Sequence, residues 1–281
     1  PLQLAQILGV LPGTAILDPF CGAGTTLAVA QNLEVPSIGI DLNPIACLIS
    51  RVKTSPLPPG LMRAAFDVAQ RAPHSNAPAP PIPNVDHWFS GEAKQAIAGL
   101  VQQIGSIEDV SLADHLRLAL SSIIVRVSRQ DSDTRYAAVD REISVRAVHE
   151  QFLAACARIE AAKRARPLTP TARVIESDIL AVTPESIGVP VSLVVTSPPY
   201  PNAYEYWLYH KYRMWWLGFD PLAVKRREIG ARPHYFKKNH ATFDEFREQM
   251  ASVLRPLARA MVPHGYACFV AGRSRIHGDD Y

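Results

Sequence analysis

Asp18-Pro19-Phe20-Cys21-Gly22-Ala23-Gly24-Thr25-Thr26 reads as a glycine turn that joins a strand to a helix. The residues before it, Thr14-Ala15-Ile16-Leu17, form a short apolar run that ends at Asp18, as a buried strand would. The residues after it, 25–33, read as a helix. A second strand is expected over residues 37–41, then a helix from Asn43 to about Lys53, with Asn43 as N-cap and Pro44 at the first helical position. Strand, glycine turn, helix, strand, helix is how a mostly parallel sheet with helices on its faces begins.

Further along, the pattern changes and then returns. Residues 56–60 and 72–83 are proline-rich, and the second stretch (Pro73, Pro78, Pro80, Pro81, Pro83) predicts an extended linker. Helical spacing follows over residues 91–103, 112–127 and 141–163, where Val145, Val148, Phe152, Cys156 and Ile159 make one apolar stripe. Strands resume at residues 172–176 and 191–196. A helix over 242–261 opens with Thr242 three residues before Glu245, and a strand is expected at 265–271. The expected architecture is α/β with an inserted helical subdomain: residues 1–71 as the first part of the core, 72–87 as linker, 88–166 as the helical insert and 167–281 as the second part of the core.

Composition excludes several classes. With 281 residues, 48% hydrophobic and 20% charged, the chain is an ordinary globular one rather than fibrous or disordered. It has no apolar run near the ~20 residues needed to cross a bilayer, and no leader-like opening. The four cysteines (Cys21, Cys47, Cys156, Cys268) are far apart and suit a reduced, cytoplasmic setting. His149-Glu150 lacks the second histidine of a zinc helix, so no metal is expected. The net charge of +3 says little, but residues 211–240 hold eight Lys or Arg against Asp220 and Glu228.

The glycine turn lets a ligand approach backbone at a helix N-terminus. Leu27 stands where a dinucleotide fingerprint needs its third glycine, and no P-loop lysine follows. Asp18 would repel a pyrophosphate and suits a cationic ligand; S-adenosylmethionine, with an ammonium, a sulfonium and no phosphate, fits that sign. Asp41, ending the second strand, can accept from ribose hydroxyls, although a dipole-complementing acid is as good a reading of that residue taken singly. Asp178 could accept from an adenine amino group or simply cap a turn. All three would fall along the carboxyl edge of the sheet, where such folds bind ligands.

The most specific signal is Thr196-Ser197-Pro198-Pro199-Tyr200. Two prolines directly after a buried strand end the ladder and stiffen the turn. The loop then presents a hydroxyl (Ser197), a carbonyl (Pro198) and an aromatic face (Tyr200). The exocyclic amine of a nucleobase is a poor nucleophile because its lone pair is delocalised. Acceptors on its N–H bonds localise that pair, while an aromatic ring can stack on the extruded base.

Together DPFCGAGTT, GIDLNP and TSPPY resemble the amino-methylating DNA methyltransferases of the N4-cytosine/N6-adenine group, the site-specific DNA modification methylases. The resemblance implies a Rossmann-like S-adenosylmethionine-dependent methyltransferase sheet. It implies cofactor contacts at Asp18, Phe20, Gly22, Gly24, Thr25, Asp41 and Asp178, and catalysis by Ser197, Pro198, Pro199 and Tyr200. SPPY is the commoner form in N4-cytosine enzymes, so N4 of cytosine is favoured over N6 of adenine. The cofactor motif precedes the catalytic one here, the reverse of many N4-cytosine enzymes. The chain opens at Pro1 and stops at Tyr281, short of the last elements the resemblance implies, so a fragment or an unusually short enzyme is expected.

Beyond Tyr200 come eight aromatic side chains in residues 200–216, then Lys225, Arg226, Arg227, Arg232, Lys237 and Lys238. Such a charge run is often only a solvated face, but beside a base-stacking loop it points to phosphates. The expected partner is therefore DNA, with a cognate restriction or defence-system subunit as a further candidate, in the bacterial cytoplasm and on the nucleoid when bound. Within the helical block, Arg126, Arg129 and Arg135 make a polar turn that would read DNA, while a lid or dimer surface is the bland reading. The rival functions are amino-methylation of RNA, methylation of a glutamine amide, for which Asn in place of Ser197 is usual, and a catalytically silent nucleic-acid-binding subunit.

Overall fold

The computed structural model describes residues 1–132, 135, 137–165, 172–202, 205–235, 241–272, 275, 276, 279 and 280. Its strands are β1 (Ala15–Asp18), β2 (Ser37–Asp41), β3 (Ala172–Glu176), β4 (Val191–Thr196) and β5 (Met261–Phe269), with the short antiparallel pair β6 (Arg275–Ile276) and β7 (Asp279–Asp280). Its helices are α1 (Leu2–Leu8), α2 (Thr25–Asn32), α3 (Pro44–Thr54), α4 (Leu61–Arg71), α5 (Val85–Trp88), α6 (Gly91–Gly105), α7 (Val110–Ile123), α8 (Val145–Ala165), α9 (Pro184–Ile187), α10 (Tyr206–Trp216), α11 (Pro221–Arg227) and α12 (Phe243–Ala260). The chain divides into two compact units: Pro1–Thr54, Thr169–Leu208 and Leu222–Tyr281 form the first, and Ser55–Leu168 with Tyr209–Pro221 the second.

The first unit is built on a five-stranded sheet in the order β3-β2-β1-β4-β5, with every pairing parallel. This is the α/β architecture expected from the sequence. Alternate strand residues feed two cores, as the two-residue period requires. Leu17, Ile38, Ile40 and Val194 meet Val253 and Leu257 of α12. Ile16, Leu193 and Val195 meet Ala30 of α2 and Ala5 of α1. A parallel sheet covered on both faces is the reason these strands read as continuous apolar runs. The chain runs from β1 outward to β2 and β3, then returns to the other side of β1 for β4 and β5. The strand order therefore reverses between β1 and β4, and it is outside the carboxyl ends at such a switch point that open sheets take ligands.

The caps foreseen in the sequence are formed. Asn43 Oδ1 accepts from Ile45 N at 3.0 Å, and Thr242 and Glu245 cap α12 reciprocally. The last helix ends one residue earlier than expected, at Ala260, and β5 starts at Met261 rather than Gly265 because Met261 already pairs with Val191.

The second unit packs α4, α6, α7 and α8 around Leu100, Leu116, Leu120, Phe152 and Cys156, with Tyr212 and Trp216 of α10 closing the cluster. Phe89 meets Tyr212 and Trp216 edge-to-face, at centroid distances of 5.6 and 5.4 Å. The proline-rich residues 72–83, expected as an extended linker, are part of this packing. Ala72 and Ile82 are buried in the cluster, and a 3₁₀ turn over Ala72–His74 brings Ser75 Oγ to Gln102. Helix α8 starts at Val145, not Arg141, where Glu92 accepts the Val145 amide and Ser144 Oγ that of Ala147.

Candidate active site

At the end of β1, Asp18 is buried, and its Oδ1 accepts from Thr196 Oγ1 at 2.7 Å and from Phe20 N at 3.2 Å. Thr196 is the last residue of β4, so this bond joins the strand ends that lead into the two motifs. Burial raises the Asp18 carboxyl above its ordinary range, against the lowering effect of Thr196, Thr26 and the Phe20 amide. The structure thus gives Asp18 the work of a tie between strands.

The glycine turn begins at Pro19. Gly22 and Gly24 both adopt positive φ (49° and 71°), and Gly24 is the left-handed N-cap of α2. A side chain at Gly24 would also meet Ser50 Oγ at 2.6 Å, whereas one at Gly22 would meet nothing within 4 Å. The turn is therefore packed from behind at Gly24 and open at Gly22. Its carbonyls are held from α3: Ser50 Oγ donates to Gly22 O at 2.7 Å, and Lys53 Nζ to Ala23 O. The sequence reading missed Ser50 and Lys53. Their spacing of three on one helix was visible, but nothing in the sequence said which carbonyls they would meet. Thr25, at the first position of α2, is exposed, and Phe20 is half-buried.

Asp41 ends β2 beside this turn. Its two carboxylate oxygens accept from Gly22 N and Asn43 N, each at 2.8 Å. Burial pushes its carboxyl up to about 6; the two amides oppose that, and the nearby Asp18 charge adds to it. Each oxygen keeps lone pairs for a further donor. Burial also pushes the thiols of Cys21 and Cys47 far up, so both stay protonated. Asp178, after β3, caps the 3₁₀ turn Ile179–Ala181 through Leu180 N at 3.0 Å, and its other oxygen pairs with Arg227 Nε at 3.2 Å.

The residues after β4 form an ordered loop. Tyr200 Oη donates to Val270 O at 2.8 Å, and Ser197 Oγ lies 3.1 Å from Tyr200 Oη. Tyrosine has one hydroxyl proton, committed to Val270, so Ser197 is the donor in the second bond and its oxygen keeps lone pairs to accept with. Ser197 is exposed; Pro198, Pro199 and Tyr200 are half-buried.

The basic segment is not one face. Lys225 Nζ lies 4.7 Å from the Trp207 ring centroid, and Arg227 is paired with Asp178. Arg226 and Arg232 are exposed, while Lys237 and Lys238 fall outside the described residues. A cavity of about 600 Å³ beside Arg226 is lined by Leu180, His234, Tyr235, Glu245 and Glu248, among others, and contains no residue of either motif. In the second unit, Arg129 meets Glu142 and the Asp86 carbonyl, Arg135 meets Asp131, and Arg126 meets Gln151. Among the described residues no group of three His, Cys, Asp or Glu could hold a metal, and no helix is long and apolar enough to cross a membrane.

Glycine turn, strand-end aspartates and a Ser-Pro-Pro-Tyr loop thus lie at the ends of neighbouring parallel strands. Residues 8–51 match the N6/N4 methyltransferase family model described as DNA methylase. The chain is similar to the type II methyltransferase M.MjaII of Methanocaldococcus jannaschii, 51% identical over 41 residues, which are 15% of this chain and 8% of that protein. It is similar to M.MvaI of Kocuria varians, 26% identical over 210 residues, 66% of this chain and 46% of that protein. M.BsoBI of Geobacillus stearothermophilus is 48% identical over 44 residues, 16% of this chain and 9% of that protein. The matches thus span less than half the length of each of these relatives. Against the solved rRNA methyltransferase aviRa from Streptomyces viridochromogenes the TM-score is 0.33 at 14% identity, covering 100% of this chain and 82% of that one, too loose a likeness to speak for function.

Proposed function

We propose that this chain methylates an exocyclic amine of a DNA base, N4 of cytosine in preference to N6 of adenine, with S-adenosylmethionine as methyl donor. The observation that carries the reading is the 2.7 Å bond from Thr196 to Asp18, which locks together the strand ends leading to the glycine turn and to residues 197–200. Cofactor side and acceptor side are thereby fixed next to each other at the sheet's switch point, the arrangement that converts a two-substrate transfer into a positioned one. The type II methyltransferases among the relatives support DNA as the substrate.

The residues present fit the cofactor. The open face at Gly22 admits a ligand to the backbone, Asp41 offers lone pairs to ribose hydroxyls, and the edge near Asp178 receives the adenine. When bound, S-adenosylmethionine would supply an electrophilic methyl group on a sulfonium, and the amine would release one proton to solvent as its bond to that methyl forms. Ser197 Oγ, its proton directed to Tyr200, and the Pro198 carbonyl accept the two amine N–H bonds and localise the amine lone pair. Pro199 stiffens the turn that aims them. Tyr200, pinned by its hydroxyl, presents its ring to the extruded base. Among the basic residues, the exposed Arg226 and Arg232, together with Lys237 and Lys238, take the phosphates. Arg227 pairs with Asp178 at the cofactor edge, and Lys225 lies over the Trp207 ring.

The deciding experiment incubates the protein with methyl-labelled S-adenosylmethionine and DNA or RNA, digests to nucleosides and identifies the labelled product. N4-methylcytosine from DNA is expected. Label in RNA alone, or in neither nucleic acid, would overturn the reading.

A further inference from the structure

Residues 227–230 touch three parts of the candidate site in four consecutive positions, and nothing in the chemistry above uses them. Arg227 pairs with Asp178 at the cofactor edge, 3.2 Å from Nε to Oδ2. Glu228 accepts from the first two amides of α10, Tyr206 N at 2.9 Å and Trp207 N at 3.1 Å. Ile229 is buried in the core that α12 forms with the sheet. Gly230 O accepts from Asn202 N at 3.0 Å. Gly230 itself sits at φ +75°, and an added Cβ there would lie 3.1 Å from Tyr200 O. One short segment, rooted in the core by Ile229, thus holds the cofactor edge with one end and both sides of the post-catalytic loop with the other.

The choice of residue types is informative. The opening amides of a helix have no acceptor within it, and a carboxylate meets them with charge-assisted bonds while facing the positive end of the dipole. Capping usually falls to the residue just before a helix; here the carboxylate comes from 22 positions further along, so that the bond ties two separate segments. The position is a costly one for a charge. Burial, with Asp41 and Glu205 adding repulsion, pushes the Glu228 carboxyl up to about 7, against the pull of the two amides.

We propose that residues 227–230 are a strap that sets the position of the Ser197–Tyr200 loop against the cofactor edge, with Glu228 as its positioning residue. The inference rests on the proposed methyl-transfer function, and deepens it: Arg227 belongs to the strap and not to the phosphate contacts. Glu228 touches neither substrate nor cofactor. It acts by fixing where α10 begins, and so where residues 200–202, 205, 206 and 207 can lie.

The test compares the parent with Glu228→Gln, which keeps the shape but turns one acceptor into a donor facing an amide, and with Gly230→Ala, which forces φ and crowds Tyr200 O. Amide hydrogen exchange is followed in peptides covering residues 200–208 and, as an internal control, 14–41. Single-turnover methyl transfer and calorimetric affinity for S-adenosylhomocysteine are measured alongside. Faster exchange at Tyr206 and Trp207, an unchanged control peptide, at least tenfold slower transfer and cofactor-product affinity within twofold of the parent are expected from both variants. Parent-like exchange in both would overturn the strap. A loss of S-adenosylhomocysteine affinity as large as the loss of rate would make Glu228 part of the binding site and overturn its positioning role. Should the parent methylate neither DNA nor RNA, the functional reading falls, while the exchange measurement still decides whether the strap holds the loop.

Discussion

Asp41 shows how much one strand-end carboxylate is asked to do. It holds the glycine turn through Gly22 N and starts α3 through Asn43 N, yet burial lifts its carboxyl to about 6. A carboxyl raised on folding favours the folded state when protonated, so that contribution is present below the ordinary carboxylate range and lost as pH rises through 6. Ligand hydroxyls need the opposite, ionised form. Affinity for S-adenosylhomocysteine should therefore tighten by about tenfold in all from pH 5 to 7, and Asp41→Asn should flatten the profile and weaken binding at pH 7 by about 1–3 kcal/mol. Calorimetry across that range checks it; a parallel pair of profiles would remove Asp41 from the site. The second residue to test is Tyr200, whose hydroxyl orients Ser197 by giving its proton to Val270 O. Tyr200→Phe keeps the ring and leaves the Ser197 proton only the longer bond to Val270 O at 3.5 Å, so DNA affinity should hold while single-turnover transfer slows by the equivalent of about 1 kcal/mol. An unchanged rate would mean that the hydroxyl chain does not orient the acceptor.

Elements next to a motif were legible because sequence neighbours are also structural neighbours there: β1, α2, β2 and α3 all lie within a turn of an aspartate, a glycine or an asparagine cap. Residues 197–200 could be placed for the same reason, since two prolines can only end a strand. What could not be read was contact between distant segments. Asp18 looked like a free carboxylate because Thr196, 178 positions away, was not yet beside it. Arg227 looked like a phosphate ligand until Asp178 faced it. Helix α4 is a different kind of omission, because Leu61, Ala65, Val68 and Ala69 already carried helical spacing and are buried together. Helix α8 shows the opposite case, a stripe that was plain in the sequence and is buried at Val148, Phe152 and Cys156. Phe152 is fully buried at the middle of that stripe. Phe152→Ala should accordingly cost about 3–5 kcal/mol through lost transfer energy and a cavity, measured by denaturant unfolding. A loss below 1 kcal/mol would mean that the helical unit is not held by this stripe.

Charge is where the whole molecule differs most from its sequence. Formal counting gave residues 211–240 a strong positive balance and gave the helical block a basic turn. The turn proves to be tied within its own unit, Arg129 to Glu142 and Arg135 to Asp131. Of the basic segment, Arg226, Arg227 and Arg232 are all exposed, and Arg227 is paired with Asp178. A phosphate contact releases counterions and a structural ion pair does not, so salt dependence separates the two kinds of arginine even where both lower activity. Each phosphate contact contributes about 0.9 to the slope of log K against log salt on duplex DNA. Arg226→Ala with Arg232→Ala should reduce that slope by about 2. Replacing Arg126, Arg129 and Arg135 together should leave the slope alone and lower the melting temperature, because the turn loses its ties to Glu142, Asp86 and Asp131. The result that sinks this division is a slope that falls for the triple variant and stays for the double one. The helical unit would then hold the phosphates, and Arg226 and Arg232 would be no more than a solvated face.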